Sequence, residues 1–152
     1  MVLQSQMRDG PQLNLLALGC MLHDIEHYFT GLNIARPISQ ITGEDLITYR
    51  AHPINGAHRL SQATFVDQMV MNIIAQHEEH IDGSGLPKGL HEDDMDPLVL
   101  VAGVANAFDR LISFEDLPPK TALKALLIDK MGVYPLPCLQ ALQEVLKKQG
   151  LV

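Results

Sequence analysis

The stretch "IIAQHEEHIDGSGLPKGL", residues 73–90, decides the fold. Its apolar run ends in five potential metal ligands within six residues, from His77 to Asp82, and a loop rich in glycine follows at once. An ordinary helix end needs one cap and often a glycine, but not a group of ionisable side chains. The stretch therefore predicts a helix that carries metal-competent side chains to the edge of a non-helical loop.

The composition predicts a single folded domain over residues 1–152, built from helices. Hydrophobic residues make up 47% of the chain and charged residues 19%, as in globular proteins. Tryptophan is absent and aromatic residues amount to only 5%, so aliphatic side chains and methionine must form the core. Such a core favours helices over sheets.

Charge and cysteine content limit the possible partners and compartment. A formal net charge of −7 disfavours DNA or RNA as a partner, because proteins that bind the nucleic-acid backbone are usually basic. Cys20 and Cys138 form no recognisable pair motif, which favours a reducing, cytoplasmic location. The longest apolar run is far shorter than a membrane span, so we expect no membrane contact.

Glycine and proline divide the chain into helices, and no run alternates with a period of two. Thr42 with Asp45 and Thr64 with Asp67 each read as a capping box that opens a helix. Pro53 is expected to end or kink the helix in which it lies. The predicted helices cover residues 12–29, 43–60, 65–79, 97–112, 120–131 and 138–149.

Histidines beside carboxylates recur at helix ends, at His23, His52 and His77. In "MLHDIEH", His27 follows His23 by one turn and shares its face of the helix. One such pair is equally explained by a helix end that carries cations. Their repetition favours a site for iron or another divalent metal, because buried ionisable groups are costly unless paired or metal-bound.

Four motifs, in order, resemble the HD-GYP branch of the HD-domain metal-dependent phosphohydrolases. They are "LGCMLHDIE" (18–26), "AHPINGAHRL" (51–60), "HEEHIDGSGLPKGL" (77–90) and "VAGVANAFDRL" (101–111). The family patterns are His-Asp-x-Gly-Lys, His-x-x-x-Gly-Ala, His-His-Glu-x-x-Asp-Gly-x-Gly-Tyr-Pro and Val-Ala-Asp-x-x-Asp-Ala-Leu. The resemblance implies an all-α, HD-domain-like helical bundle that holds two or three iron or manganese ions. Active members hydrolyse cyclic di-GMP.

The resemblance also assigns roles to single residues. It implies metal ligands at His23, Asp24, His52 and His77, with Asp24 bridging two ions, and it places the catalytic residues at Asp24 and His27. Several positions depart from the patterns. Glu78 replaces a histidine, Asn106 an aspartate ligand, His27 the lysine that contacts phosphate, and Leu86 a tyrosine. Glu26 also stands where the family has a glycine.

These departures affect two metal positions differently. The position that uses His23, Asp24 and Asn106 has lost a charged ligand. The position that uses Asp24, His52, His77 and Glu78 can survive, because glutamate is a legitimate ligand. We therefore expect at most one tightly bound iron or manganese ion. His27 can offer phosphate only a partial positive charge near neutral pH.

The family carries a further histidine ligand on a helix about thirty residues before its His-Asp pair. This chain begins too late to contain that residue, so the domain is expected to lack the first ligand-bearing helix. A fragment whose neighbour supplies the helix is the alternative interpretation.

The loop that follows the ligands is a candidate partner or substrate loop. Its residues are Asp82, Gly83, Gly85, Leu86, Pro87 and Lys88. In the family, this loop is thought to contact diguanylate cyclase domains of the GGDEF type. The alternative is that Asp82 and Ser84 simply set a turn.

Two functions remain open. The first is a degenerate signalling module of the cyclic di-GMP system that binds a nucleotide or a protein with little turnover. The second is an active phosphodiesterase for cyclic di-GMP or a related phosphoester. Asn106 argues against turnover, whereas Asp24, His52 and His77 keep it possible.

Overall fold

The computed structural model describes residues 10–152, and within that range the chain forms helices without a strand. One isolated bridge joins Asp82 and His91. The all-α prediction is confirmed. The helices are α1 (Gly10–Leu22), α2 (Ile25–Thr30), α3 (Gly43–Leu60), α4 (Gln68–Gln76), α5 (Pro97–Ser113), α6 (Pro119–Lys124) and α7 (Leu136–Lys148).

The prediction of one helix over residues 12–29 is wrong at its centre, because the chain leaves helical geometry at His23 and Asp24. The backbone N–H of His27 then donates to the carbonyl of Asp24 across 3.0 Å and starts α2. Before this break, Gly19 lets α1 approach α4 closely, since a Cβ there would lie 2.6 Å from Cδ1 of Ile73. The break and the close approach together bring His23 and Asp24 to α3 and α4.

Both predicted capping boxes are absent. Thr42 makes no side-chain cap, and Asp45 instead forms an ion pair with Arg36. The helix of the second predicted box, α4, begins at Gln68. Asp67 caps it by accepting from the backbone N–H of Met69 at 2.7 Å. The helix therefore begins three residues later than predicted, because Asp67 and not Thr64 is its N-cap.

The core lies on both sides of α5, which corresponds to the helix predicted over residues 97–112. Towards α1 and α4, Val99 and Ala102 pack around Ile73. Towards α7, Val104 packs with Leu126 and Leu139. The helix predicted over 120–131 divides into α6 and a wider π-helical turn, Ala125–Asp129.

The length and polarity of the helices also bear on membrane contact. Within residues 10–152, no helix combines the length and the apolar character that crossing a bilayer requires.

Candidate metal centre and adjoining pocket

Four predicted ligands converge at one point between α2, α3 and the end of α4. Asp24 Oδ1 lies 3.1 Å from His52 Nε2 and 3.5 Å from His77 Nε2. The other carboxylate oxygen, Oδ2, lies 3.4 Å from His23 Nε2. The Nε2 atoms of His52 and His77 are 3.0 Å apart. Residues from three separate motifs therefore form one cluster.

Each of the three histidine rings is oriented by a backbone carbonyl three residues earlier. His23 Nδ1 bonds the carbonyl of Cys20 at 2.6 Å, and His77 Nδ1 bonds that of Ile74 at 2.9 Å. His52 Nδ1 makes the same contact with Tyr49. A carbonyl can only accept, so this pattern assigns the proton to Nδ1 and leaves Nε2 free to bind a metal.

Pro53 explains why the carbonyl of Tyr49 can orient His52. In a regular helix, that carbonyl would accept from the N–H of residue 53, but proline has no N–H. Pro53 is buried within α3, which continues through it from Gly43 to Leu60. The residue that was expected to end or kink the helix thus leaves an acceptor free for a ligand.

The spacing of the ligand atoms fits a divalent ion. The edges between Asp24 Oδ1, His52 Nε2 and His77 Nε2 measure 3.0, 3.1 and 3.5 Å. Neighbouring ligands that each lie about 2.1 Å from one ion are separated by roughly 3.0–3.4 Å. Two nitrogen lone pairs at such a separation also repel each other unless a cation lies between them. The described residues therefore suit a metal ion.

The cluster keeps its negative charge. In the metal-free cluster, where the histidine Nε2 atoms can carry protons, burial opposes ionisation of Asp24, but hydrogen bonds from His23, His52 and His77 outweigh it and hold the pKa of the carboxyl well below its usual range. Burial likewise opposes ionisation of Glu78, yet the charges of His77 and His52 lower its pKa. Both carboxylates are therefore ionised near neutral pH.

Glu78 lies beside this cluster and contacts two further side chains. With His52 and His77 it forms a second possible ligand group, whose atoms lie within 4.8 Å of one another. Its Oε1 accepts from the hydroxyl of Tyr49 at 2.8 Å and from Asn106 Nδ2 at 3.1 Å. Burial raises the pKa of the Tyr49 hydroxyl, which therefore remains a donor.

His27 faces the cluster rather than solvent. Its side chain is buried, and neither ring nitrogen has a hydrogen-bond partner among the described residues. His27 Nε2 lies 3.8 Å from Asp24 Oδ1. Burial, aided by the charge of His52, lowers the pKa of His27 to about 4. The ring is therefore neutral at pH 7, and the expected partial charge for a phosphate is not present.

Glu26 and Arg59 form a contact that sequence reasoning missed. Arg59 donates through Nε and Nη2 to both carboxylate oxygens of Glu26, at 2.7 and 3.1 Å. Its guanidinium carbon also lies 4.0 Å from the ring centre of Phe29. The bidentate pair fastens α2 to α3 behind the cluster. The replacement of the family's glycine by Glu26 was the one available signal.

A pocket of about 520 Å³ adjoins the cluster. A smaller pocket of about 230 Å³ lies on the side of α1 and is lined by His23, His77 and Asn106. His80 is half-buried, and its Nε2 lies 3.3 Å from the Tyr134 hydroxyl. Residues that line the larger pocket include His77, Glu78, His80, Leu86, Asn106 and Tyr134.

The loop after the ligands is held by Glu79, whose buried carboxylate accepts from the backbone N–H groups of Lys88 and Leu90 at 2.7 and 2.9 Å. Gly85 lies so close to the preceding chain that a Cβ would be 2.2 Å from the backbone nitrogen of His80. Only glycine fits there without a shift of the backbone.

The candidate loop residues differ in exposure. Asp82 accepts from the backbone N–H and the hydroxyl of Ser84, at 3.0 and 2.7 Å, so it does set a turn. Gly83 adopts a φ of 79°, which a turn with glycine permits. Leu86 and Pro87 are half-buried, with Leu86 on the pocket wall, whereas Lys88 is exposed.

Comparison with known proteins gives concordant results. A family model described as HD domain matches residues 3–131. The cyclic di-GMP phosphodiesterase PA4108 of Pseudomonas aeruginosa is 30% identical over 115 residues, which are 76% of this chain. The cyclic di-GMP phosphodiesterase PdeB of Borreliella burgdorferi is 25% identical over 92 residues, or 60% of this chain.

A solved structure shares the fold and much of the sequence. It is described as Bd1817, a HDG"Y"P protein from Bdellovibrio bacteriovorus, and it matches with a TM-score of 0.86 and 45% identity over 95% of this chain. The chain spans 27% and 24% of the two phosphodiesterases and 47% of this structure. Motifs, site geometry and these matches agree: the chain belongs to the HD domain family, in its HD-GYP branch.

Proposed function

We propose that this domain binds one divalent ion, iron or manganese, and a cyclic dinucleotide in the adjoining pocket, as a regulatory module of cyclic di-GMP signalling with little turnover. The observation that carries the proposal is the convergence of Asp24, His52 and His77 beside a pocket of about 520 Å³. The names of the two related phosphodiesterases support a cyclic dinucleotide as the ligand.

The described residues divide the work between them. Asp24 and the Nε2 atoms of His52 and His77 would hold the ion, and His23 and Glu78 lie within reach of the same group. The ion, when bound, would neutralise phosphate charge. His27 is neutral and buried against Asp24. We therefore propose that it helps to position the metal ligand Asp24 and does not bind the phosphate.

Metal analysis and calorimetry test this proposal on the purified chain, loaded anaerobically with Fe(II) or with Mn(II). We expect at most one ion per chain, its loss in His52→Ala, and binding of cyclic di-GMP with negligible hydrolysis. The exposed Asp93→Ala serves as a control that retains the ion. Two stoichiometric ions, or full metal content in His52→Ala, would contradict the ligand assignment.

An active phosphodiesterase is the second candidate. It is favoured by Glu78, which supplies a second carboxylate beside His52 and His77. Robust hydrolysis of cyclic di-GMP by the wild type, abolished in Asp24→Ala and retained in Asp93→Ala, would establish this candidate over the first.

We also propose that the loop from Asp82 to Lys88 contacts a partner, and that this partner is a GGDEF-type cyclase domain. Support comes from its fixed shape, which the buried Glu79 holds, and from the exposure of Asp82 and Lys88. Leu86→Ala and Lys88→Glu should weaken a complex measured by calorimetry. Charge reversal at the exposed Lys147 on α7 is the control, and unchanged binding by both loop variants would exclude this contact.

A further inference from the structure

Arg110, on α5, is a buried guanidinium without an acidic partner. Its relative exposure is 7%, and none of the ion pairs among the described residues involves it. Its Nε and Nη2 are buried and have no hydrogen-bond partner within residues 10–152. A buried charge whose donors are unsatisfied is costly, so such a residue calls for an explanation.

Two aromatic rings hold the guanidinium in place without satisfying these donors. Its central carbon lies 5.2 Å from the ring centre of Tyr49 and 5.0 Å from that of Phe114. Contacts of this kind orient a cation over a ring face. They leave the N–H groups free, because a ring face does not replace an oxygen acceptor. Arg110 is thus oriented while its hydrogen-bonding capacity remains open.

Arg110 also lines the pocket of about 520 Å³, together with Glu78 and Asn106. Glu78 lies in the same wall, but its carboxylate accepts from Tyr49 and Asn106 and forms no ion pair with Arg110. Arg50 and Lys130 also line this pocket, as do the carboxylates Glu115 and Asp129. Guanidinium groups bind phosphate and carboxylate oxygens through paired, charge-assisted hydrogen bonds. The guanidinium therefore suits an oxyanion in the pocket, toward which its buried Nε and Nη2 would have to turn.

The sequence patterns give this residue added weight. The family pattern has alanine where this chain has Arg110, and lysine where it has His27. The ring of His27 stacks on Tyr49 with a centroid distance of 5.8 Å, and Arg110 contacts that same Tyr49. The position of His27, beside Tyr49, thus lacks the lysine of the family pattern, whereas Arg110 supplies a cation on the same ring.

We propose that Arg110 is the phosphate-binding residue of this pocket and positions a phosphodiester ligand against the metal cluster. The identity of the ligand as a phosphodiester rests on the proposed function, but the oxyanion chemistry rests on Arg110 itself. Arg110→Met keeps a long apolar stem and removes the charge. Arg110→Lys keeps the charge and removes the paired donors. Lys147→Met is the control, because Lys147 is an exposed cation on α7 and is not among the residues that line the pocket.

The test measures binding of cyclic di-GMP and of inorganic phosphate by calorimetry on the Mn(II)-loaded chain, with metal content determined in parallel. Charge-assisted hydrogen bonds predict that Arg110→Met weakens both ligands about tenfold or more. We expect Arg110→Lys to fall in between, Lys147→Met to stay within about threefold of wild type, and every variant to keep its metal. When both proteins are free of ligand, Arg110→Met should also melt at a higher temperature than the wild type, because the substitution removes an unpaired buried charge.

Unchanged affinity of Arg110→Met for both ligands, at unchanged metal content, would overturn the proposal. So would a wild type that binds neither ligand. Binding of phosphate that depends on Arg110, without binding of cyclic di-GMP, would support Arg110 and reject the proposed function. If Arg110→Met fails to fold by circular dichroism, Arg110→Lys decides the question, because the proposal requires a loss of affinity there as well.

Discussion

Asn106 donates its side-chain amide to the carboxylate of Glu78 across 3.1 Å, so two positions that depart from the family patterns contact each other. The patterns have aspartate at the first position and histidine at the second. In this chain the carboxylate belongs to Glu78, whereas in the family patterns it lies at the position of Asn106. Asparagine also supplies the donor that an aspartate could not offer to Glu78. The site has therefore exchanged the position of a charge rather than simply lost it.

Asn106→Asp tests this exchange. The substitution replaces a donor with a second carboxylate beside Glu78, so the metal-free variant should lose about 1–3 kcal/mol of unfolding free energy. Added Mn(II) should restore part of that loss. Denaturant unfolding with and without metal measures both effects. The double variant Asn106→Asp with Glu78→His, which restores the family pattern, should relieve the repulsion. Wild-type stability of metal-free Asn106→Asp would contradict this account.

Pro53→Ala tests how the fold orients His52. The new backbone N–H can donate to the carbonyl of Tyr49 and competes with His52 Nδ1 for that acceptor. Loss of such an orienting contact typically lowers metal affinity about 10–100-fold, although the ligand itself is unchanged. Competition with a metal chelator measures the affinity. Ile54→Ala, at the partly exposed neighbouring position, is the control, and equal affinity in Pro53→Ala and wild type would refute the role of Pro53.

The Glu26–Arg59 pair should make stability depend on pH in one direction. Arg59 holds the pKa of Glu26 below its ordinary value in the folded state. Stability from the pair is therefore present above the ordinary pKa of a glutamate and is lost as the pH falls through the lower, folded pKa. Arg59→Met should lower the urea midpoint at pH 7 and converge with wild type in acid. A midpoint difference that does not change with pH would refute the linkage, and Arg50→Met should show little difference at any pH.

Glu79→Gln tests the support of the loop. An amide can accept through only one of its two terminal atoms, so one backbone N–H, of Lys88 or Leu90, would lose its acceptor. The expected cost is about 1–3 kcal/mol, concentrated in the loop. Hydrogen exchange of these two amides should accelerate, while exchange in α5 changes less. The exposed Glu92→Gln is the control, and unaltered exchange in Glu79→Gln would show that the carboxylate does not hold the loop.

The sequence identified four candidate ligands because local motifs carry them, and that these residues bind a metal stays a prediction. His23, Asp24, His52 and His77 each lie in a short pattern with distinctive neighbours, and the structure brings all four together. The central helix α5 was equally accessible, since its apolar residues form one long run that begins after Asp96.

Features that depend on contacts between distant residues were not accessible from the sequence. The break at Asp24 lies within a run whose apolar residues are dense enough for one helix, and its position depends on contacts with α3 and α4. The sequence around Asp45 predicts a capping box, but the side chain forms an ion pair with Arg36, which lies in the preceding loop. The burial of Arg110 depends on Tyr49 and Phe114, which no local pattern links to it.

The convergence of Asp24, His52 and His77 also has a kinetic consequence. These residues lie on three segments that are far apart along the chain, so an ion held between them would act as a cross-link that must break before those segments separate. Interactions that form after the folding transition state slow unfolding without accelerating refolding. An ion that joins such distant segments late in folding would therefore lengthen the lifetime of the native state, and the availability of metal would set how long each molecule persists before it opens.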